Sequence, residues 1–478
     1  MLKLNNNIQS EIIFMTMEQM VPEDSLLRKI DKYIDFTFID DMVKDLYCEN
    51  NGRPSIDPKV LFKLVFIQTI DGLKSMRQTC RKIQTDAEYR WFLGIPFGQD
   101  TPHFSTFSKN YERRFKNTDI FEKIFIEIVN QAIKYKLIDG TTFYTDSTHK
   151  KANANKNKFT EQIVKEVKKR RQWLEDEINE ERKSQGRKEF EYKDECEEKT
   201  IKLSTTDNES GYYHRDNKEK GFMYLDHRTV DHKANIIVDC YITKGNIHDS
   251  IPYIDRLKYL ERTFNFNIKK VAIDSGYDTL DIKKYLNDNN IFGVIGYRRY
   301  GSQESRKEKS KYYYEKELDV YVEKETGEVL EYNGLIDRNG YKKYESLDKS
   351  KVVRRHICEE INEKFRDNRL SKEGKELYRF RKEKVERSFA DSKQNHGYRY
   401  AMYRGLEKNQ NYTWLICAAQ NMKNISIKKE KVNGKPLTNS ILLSIMNKIG
   451  LKLQFLFLKI EWRKPLAKNQ GFVYTLRK

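Results

Sequence analysis

The chain has 478 residues, of which 38% are hydrophobic and 34% are charged, and its formal net charge is +19. Lysine and arginine are spread along the whole chain and are not gathered on one amphipathic helix, which favours nucleic acid over a membrane surface as the partner. The six cysteines lie far apart, so neither a zinc site nor a disulfide framework is expected, and the chain is predicted to be reduced and intracellular.

Residues 1–118 are predicted to form a series of short helices. Asp57, followed by proline, and Ser75 are typical helix starts, and Ser105 is predicted to cap a helix over 106–115. Two interpretations stay open for this region, a helix-turn-helix DNA-binding domain or an ordinary helical bundle with solvated basic faces. The basic side chains predicted to contact DNA are Arg77, Arg81, Lys109, Arg113 and Arg114.

Residues 119–297 alternate between β-type and helical patterns. Within them, a charged segment at about 156–202 is predicted to be helical. Its sparse apolar stripe fits a solvated hairpin or arm, with a DNA-contacting arm as the alternative. The predicted strands lie at 138–147, 222–230, 236–243, 270–274 and 291–297.

Three acidic residues stand in settings that suit a metal site. Asp146 and Asp274 end apolar β-type runs, where ligands usually bind in open α/β sheets, and Glu386 lies in a basic stretch predicted to form a long helix at about 375–394. Carboxylates are suitable Mg²⁺ ligands, and two such ions can promote the displacement of a phosphodiester. Each acid also has a plain structural interpretation, as a turn residue, a helix cap or a surface charge paired with Lys382.

Lys393 lies seven residues after Glu386 and therefore on the same face of the predicted helix. This spacing places an ammonium group where it can neutralise a phosphate beside the metal site. A solvated surface lysine is the alternative.

The order of elements predicts the fold class. A three-strand meander followed by two strands on helical crossovers matches a ribonuclease-H-like core. The predicted architecture is a multidomain α+β and α/β protein: a helical DNA-binding region, then a mixed-sheet catalytic core with an insertion between its last strand and the helix that carries Glu386. The predicted limits are 1–118 for the helical domain, 119–297 and 374–430 for the two parts of the core, 298–373 for the β-rich insertion, and 431–478 for a C-terminal extension.

These residues resemble the catalytic blocks of the DDE transposases of bacterial insertion sequences, in particular the group called the IS-eleven-eighty-two type, which has a helix-turn-helix N-terminal region. The similar segments are Thr145-Asp146-Ser147-Thr148, the run from Ala272 to Tyr277, and Val385-Glu386-Arg387-Ser388-Phe389 with Lys393; Pro102 to Ser108 and Ile242 to Asp249 are further similar segments.

The resemblance implies an enzyme that uses two Mg²⁺ (or Mn²⁺) ions to cleave transposon ends and join them to target DNA, with Asp146, Asp274 and Glu386 as the catalytic triad and metal ligands. Related transposases carry a Tyr, Arg, Glu, Lys signature on the last helix. Here Tyr378 and Arg381 lie one residue too far from Glu386, and Arg379 and Lys382 hold the strictly spaced positions. The predicted DNA-phosphate contacts are Lys393, Tyr378, Arg381, Lys382 and Arg387.

The expected partners are double-stranded DNA, both as transposon ends and as target, and further copies of the chain in a synaptic complex. No membrane or small-molecule substrate is expected, and the expected location is the bacterial cytoplasm, in association with the nucleoid. Two other functions stay open: a non-catalytic DNA-binding protein derived from a transposase, and a structure-selective nuclease.

Overall fold

Short helices make up the N-terminal region in the computed structural model, which describes residues 14–48, 55–215, 219–297, 308 and 310–433. Asp57 and Ser75 cap α4 and α5 as predicted. Ser105 is not a cap: α7 begins at Ser105 itself, and its hydroxyl lies 2.8 Å from Nδ1 of His103. The helices are α1 Met17–Met20, α2 Leu26–Tyr33, α3 Phe38–Val43, α4 Pro58–Ile70, α5 Met76–Thr85, α6 Ala87–Leu93, α7 Ser105–Asn110 and α8 Ile120–Lys134, with a 3₁₀ turn at Lys44–Leu46 and a π-helical turn at Tyr111–Phe115.

A six-stranded mixed sheet forms the centre of the molecule. Strand β1 pairs with β5 antiparallel and with β7 parallel, β7 pairs with β8 parallel, and β6 and the short β4 both pair with β5 antiparallel. Helices α10 and α11 precede β7 and β8 along the chain. The elements are β1 Thr142–Lys151, β4 Gly211–Tyr213, β5 Gly221–Asp231, β6 Ile237–Lys244, α10 Tyr253–Phe264, β7 Lys270–Ile273, α11 Leu280–Asp288 and β8 Phe292–Ile295, with a 3₁₀ turn at Ser275–Tyr277.

The apolar core runs without a break from the N-terminal helices into this sheet. Phe66 of α4, Phe125 of α8, Val271 of β7 and Ala418 of the last helix belong to one cluster of buried side chains. The helical region and the sheet therefore share their hydrophobic stabilisation, and the domain limit predicted at residue 118 remains a prediction.

The segment at 156–202 corrects the sequence-based expectation of a helix. It forms an antiparallel ribbon of β2 (Phe159–Val167) and β3 (Cys196–Ser204), with one helix, α9 (Gln172–Ser184), between the strands. The reason lies in β-branched residues such as Ile163 and Val164, which prefer strands, and in charges that pair across the ribbon, as Lys165 does with Glu198 at 3.3 Å.

Helix α9 does not belong to a free arm. Its Leu174 and Ile178 are buried against Ile336 and Cys358, which belong to the insertion that follows the central sheet. The ribbon therefore ends in a helix that is anchored by apolar packing.

The predicted β-rich insertion contains a five-stranded antiparallel sheet in the order β13-β12-β11-β10-β9. Tyrosines fill one cluster of its core, and the hydroxyls of Tyr314 and Tyr344 both donate to Asp319 Oδ1, at 2.7 and 2.6 Å. The strands are β9 Tyr312–Glu315, β10 Val320–Glu323, β11 Val329–Ile336, β12 Tyr341–Glu345 and β13 Val352–His356.

A long helical run returns the chain to the central sheet. Helix α13 (Lys372–Arg381) continues through a π-helical turn (Lys382–Glu386) into α14 (Arg387–Asn395), close to the helix predicted at 375–394. Helix α12 (Glu359–Leu370) precedes this run and α15 (Leu406–Asn433) follows it. The C-terminal extension, from residue 434 onwards, lies outside the described residues, and none of the described helices has the length and apolarity that spanning a membrane requires.

Candidate active site

Asp146 and Asp274 come together because their strands are neighbours. The parallel pairing of β1 with β7 ends at Thr145 opposite Ile273, so the next residue on each strand is an aspartate. Each aspartate accepts a hydrogen bond from the backbone amide that follows it, Ser147 at 2.9 Å and Ser275 at 2.6 Å. The two aspartates therefore stand side by side where the parallel pairing ends, although β1 does not end at Asp146 as the sequence pattern indicated but continues to Lys151 in its pairing with β5.

Glu386 reaches the same place from the π-helical turn that packs against β1 and β5. The side chains of Glu386 and Asp274 are 42% and 44% exposed, whereas that of Asp146 is 17% exposed. Asp274 and Glu386 are thus accessible to solvent, whereas Asp146 lies deeper.

The guanidinium of Arg381 joins all three carboxylates. Its Nη1 lies 3.1 Å from Asp146, and its Nη2 lies 3.1 Å from Glu386 and 4.0 Å from Asp274. One carboxylate oxygen of Glu386 and one of Asp274 therefore lie within 4.0 Å of the same nitrogen atom, which brings these two side chains close to each other. Arg381 itself is 8% exposed.

The π-helical turn explains how Arg381 meets Glu386 across five residues. A π-helix bonds residues i and i+5, so it absorbs one more residue than an α-helical turn before returning to the same face. The extra residue between Arg381 and Glu386, which the sequence shows as a broken spacing, is therefore taken up locally. Arg379 and Lys382, which hold the strictly spaced positions, are both exposed.

Burial of Asp146 is the main electrostatic cost of the site. The pKa of Asp146 is raised to about 6, mainly by desolvation and also by the charges of Asp274 and Glu386, while Arg381 and the Ser147 amide act in the opposite direction. At neutral pH the carboxylate is still mainly ionised, so it remains available as a ligand.

Tyr378 lies beside the three acids, and Lys393 reaches β1 two residues beyond Asp146. A Cβ atom on Gly296 would lie 2.7 Å from the Tyr378 hydroxyl, and the ring centre of Tyr378 is 5.5 Å from the Arg381 guanidinium. Lys393 Nζ donates to Thr148 Oγ1 at 2.5 Å, and burial lowers the pKa of Lys393. Arg387, by contrast, is exposed at the start of α14.

Comparisons with known proteins identify the family. Residues 15–113 match the family model described as a transposase domain (DUF772), and residues 342–426 match the one described as a transposase DDE domain. The chain therefore contains transposase domains, the second of them of the DDE type. The second match includes Glu386 and Lys393, whereas Asp146 and Asp274 lie outside both matched ranges.

One solved structure of a transposase was also compared with this one. It is a cryo-EM structure of the piggyBac transposase synaptic complex with hairpin DNA, with 9% sequence identity and a TM-score of 0.30, covering 91% of this chain and 85% of that chain. A search of curated proteins returned no match.

Asp249 is a further acid of this transposase site to which the sequence assigned no role. Ser147 Oγ donates to Asp249 Oδ1 at 2.7 Å, and a Cβ atom on Gly276 would lie 2.9 Å from Asp249 Oδ2. Asp249 therefore sits between Ser147, the residue after Asp146 on β1, and the 3₁₀ turn that follows Asp274. The sequence feature that could have indicated Asp249 is its position at the end of the segment from Ile242 to Asp249, which is similar to the family and begins in β6.

The basic residues predicted in the N-terminal region lie on α5, α7 and the π-helical turn after α7. Arg77, Arg81, Lys109 and Arg113 are exposed, and Arg77 stacks on Phe104 with 4.3 Å between its guanidinium carbon and the ring centre. The fifth of these residues, Arg114, is half-buried over the ring of Tyr47.

The donor chemistry of the three acids fits a divalent metal ion, on which DDE transposases depend. As the side chains stand, no group of three His, Cys, Asp or Glu residues in the described part of the chain is arranged to hold a metal ion. Arg381 accounts for this at the candidate site, because its guanidinium already lies between the carboxylates of Asp146 and Glu386.

Proposed function

We propose that this transposase cleaves transposon ends and joins them to target DNA, with Asp146, Asp274 and Glu386 holding two Mg²⁺ or Mn²⁺ ions. The observation that carries the proposal is the convergence of three carboxylates, distant in sequence, on the guanidinium of Arg381. When bound, two such ions polarise the attacking and leaving oxygens of an in-line phosphoryl displacement.

The fold supports this chemistry. The strand order β6-β5-β1-β7-β8, with three antiparallel strands followed by two parallel ones, is the order expected of a ribonuclease-H-like core. Two of the three acids come directly after the parallel pairing of β1 with β7, on the side where open sheets bind their ligands.

The basic side chains around the triad have distinct tasks in this proposal. Arg381 neutralises the acids before they bind metal, and on leaving the space between them it becomes free to bind a phosphate through two N–H groups. Lys393 and Tyr378, on either side, hold the DNA backbone in line for displacement. Lys382 and Arg387, which are exposed, contact phosphates further from the reacting bond.

The N-terminal region is the proposed recognition domain for the transposon ends. The exposed residues Arg77 and Arg81 on one helix, and Lys109 and Arg113 on the next basic segment, supply cations for phosphate contacts in a helix-turn-helix-like arrangement, with Arg114 in support. We propose that further copies of the chain join in a synaptic complex, and that the protein acts at the bacterial nucleoid in the cytoplasm.

The domain limits follow from the same proposal. They are 1–118 for end recognition, 119–297 and 374–430 for the catalytic core, 298–373 for the insertion and 431–478 for the C-terminal extension.

Asp274→Asn tests the catalytic assignment. The substitution keeps the size of the side chain but removes its charge, so we expect Mg²⁺-dependent cleavage of end DNA to be lost while DNA binding stays largely intact. The measurement is cleavage of a labelled transposon end, beside a gel-shift assay on the same DNA. Asp255→Asn, on the exposed face of α10, is the matched control; normal cleavage by the Asp274 variant would refute the assignment.

A further inference from the structure

The outer edge of strand β2 is an open sheet edge. In the part of the chain that the structure describes, β2 pairs only with β3, so the backbone groups along its other side have no strand partner. Ile163 and Val167 on this strand are 66% and 60% exposed. Proteins usually cover or blunt such edges, because an open edge with apolar side chains templates the addition of another strand.

The charge of the ribbon disfavours DNA as the covering partner. Strands 159–167 and 196–204 together carry three lysines and four glutamates, in a chain whose net charge is +19. A DNA-contacting arm needs an excess of cations to bind phosphates. The alternation of both signs along the ribbon fits a protein strand with the reverse alternation.

Strand β2 is complementary to itself when two copies run antiparallel around Ile163. In that register Glu161 of each copy faces Lys165 of the other, Phe159 faces Val167, and Ile163 faces its own counterpart. These five side chains share one face of the ribbon, because side chains alternate along a strand. Ion pairs and apolar pairs directly opposite each other are the contacts that stabilise antiparallel strands.

The registers that are shifted by one residue in either direction do not form these ion pairs. A shift by one residue places Glu161 opposite either Val164 or Glu166, which loses the attraction or creates a repulsion. Within each ribbon Lys165 already pairs with Glu198 at 3.3 Å, so the added strand continues a row of alternating charges.

We propose that β2 pairs with β2 of a second copy of this chain, which joins two ribbons into a four-stranded sheet in the order β3-β2-β2-β3. The inference rests on the self-association proposed for the synaptic complex and names the surface that mediates it. Strand β3 is the poorer edge, because Thr200 occupies its centre and its last residue, Ser204, is buried close to β4.

Cysteine cross-linking of the full-length protein tests the register. Cys48 and Cys196, the exposed cysteines among the described residues, are first replaced by serine. Ile163→Cys then places two thiols opposite each other across the symmetry axis, and we expect mild oxidation to convert most of the protein into a disulfide-linked dimer on a non-reducing gel. Thr200→Cys is the matched control, because Thr200 faces Ile163 across the ribbon but lies on the other strand.

Ile163→Lys tests the energetics without cross-linking. Ile163 is exposed, so the substitution should leave folding unchanged, while two lysines facing each other should weaken the dimer by about tenfold or more, equivalent to ~1.4 kcal/mol. The measurement is the dimer dissociation constant from analytical ultracentrifugation, with and without end DNA.

The outcomes separate this inference from the proposed function. A parent protein that stays monomeric under all these conditions would refute self-association itself. A dimer that Ile163→Lys leaves unchanged, or that cross-links through Thr200→Cys and not through Ile163→Cys, would refute the β2 edge alone. Loss of end cleavage in Asp274→Asn is measured independently of both.

Discussion

Arg381 occupies a position that sequence spacing alone assigned to its neighbour. It lies among three carboxylates that would otherwise repel one another, and its own burial is tolerable only because those carboxylates compensate its charge. Cations bound between the acids would do the same work. The arginine therefore stabilises the metal-free fold, and under the proposed function metal and arginine would compete for the same anions.

Arg381→Ala should destabilise the metal-free protein, and addition of Mg²⁺ should restore part of the lost stability. We expect the free energy of unfolding in EDTA to fall by roughly 2–3 kcal/mol, less than for a fully buried pair because two of the acids are over 40% exposed. The measurement is chemical denaturation with EDTA or Mg²⁺, and the exposed neighbour Lys382→Ala is the control, with an expected change within about 0.5 kcal/mol. Equal losses in the two variants would contradict this role.

Asp146 makes stability depend on pH. Burial raises the pKa of Asp146 to about 6 from an ordinary value of 3.8, so the folded state holds the proton more tightly than the unfolded state. The stabilising effect of protonation is present at low pH and is lost as pH rises through about 6. The Asp146→Asn variant has no such proton to lose. The difference between its free energy of unfolding and that of the parent should therefore rise, in favour of the variant, by up to about 3 kcal/mol between pH 4 and pH 7. Urea denaturation in EDTA across this range is the test; a flat difference would contradict it.

At the scale of elements, the helix that carries Glu386 shows what spacing can and cannot predict. The helical run at 375–394 follows from its sequence pattern. The sequence does not show, however, whether the extra residue between Arg381 and Glu386 turns the two side chains to different faces or is taken up by a wider helical turn. Packing decides, because Val385 is fully buried and Arg381 must meet Asp146. The prediction of a helix at about 156–202 was wrong for a similar reason, since the two strands found there also depend on cross-strand pairs that a local pattern does not show.

Deletion of Glu383, an exposed residue of the π-helical turn, should convert the turn to an α-helical one and keep Arg381 and Glu386 on one face. We therefore expect end cleavage to be retained to within about tenfold, since a barrier change below ~1.4 kcal/mol is expected. Deletion of the exposed Ala390 is the contrast, because it rotates Lys393 away from Glu386 within an ordinary α-helix and should abolish cleavage. Loss of activity only in the Glu383 deletion would show that the widened turn is itself required.

At the scale of the whole molecule, the N-terminal helices pack directly against the end of the helical run that carries Glu386. His396, just after α14, lies with its Nδ1 2.8 Å from the backbone oxygen of Thr69, and a Cβ atom on Gly72 would lie 2.6 Å from the backbone oxygen of Asn395. The sequence predicted both regions and the three acids, but this contact joins residues more than 300 positions apart. Such a contact depends on the complete fold and not on any local pattern.

Gly72→Ala tests this junction. Gly72 has a φ of +59°, which costs an alanine about 1 kcal/mol, and the new methyl group also meets the Asn395 backbone. Gly94→Ala is the matched control, because its φ is +67° and a Cβ atom there meets nothing within 4 Å. We expect Gly72→Ala to lower the free energy of unfolding, measured by calorimetry, clearly more than Gly94→Ala does, and to reduce end cleavage. Equal effects of the two substitutions would show that the contact between Gly72 and Asn395 adjusts without a loss of stability.

The unbroken core between the N-terminal helices and the central sheet has a consequence for how a DNA end is measured. If the basic helices read the end sequence and the three acids cut it, one rigid framework spans both tasks and works as a molecular ruler. If one base pair is inserted between the recognised sequence and the natural cleavage site, the protein should still cut at the original distance from the recognised sequence. The cut should therefore fall one nucleotide away from the true transposon end.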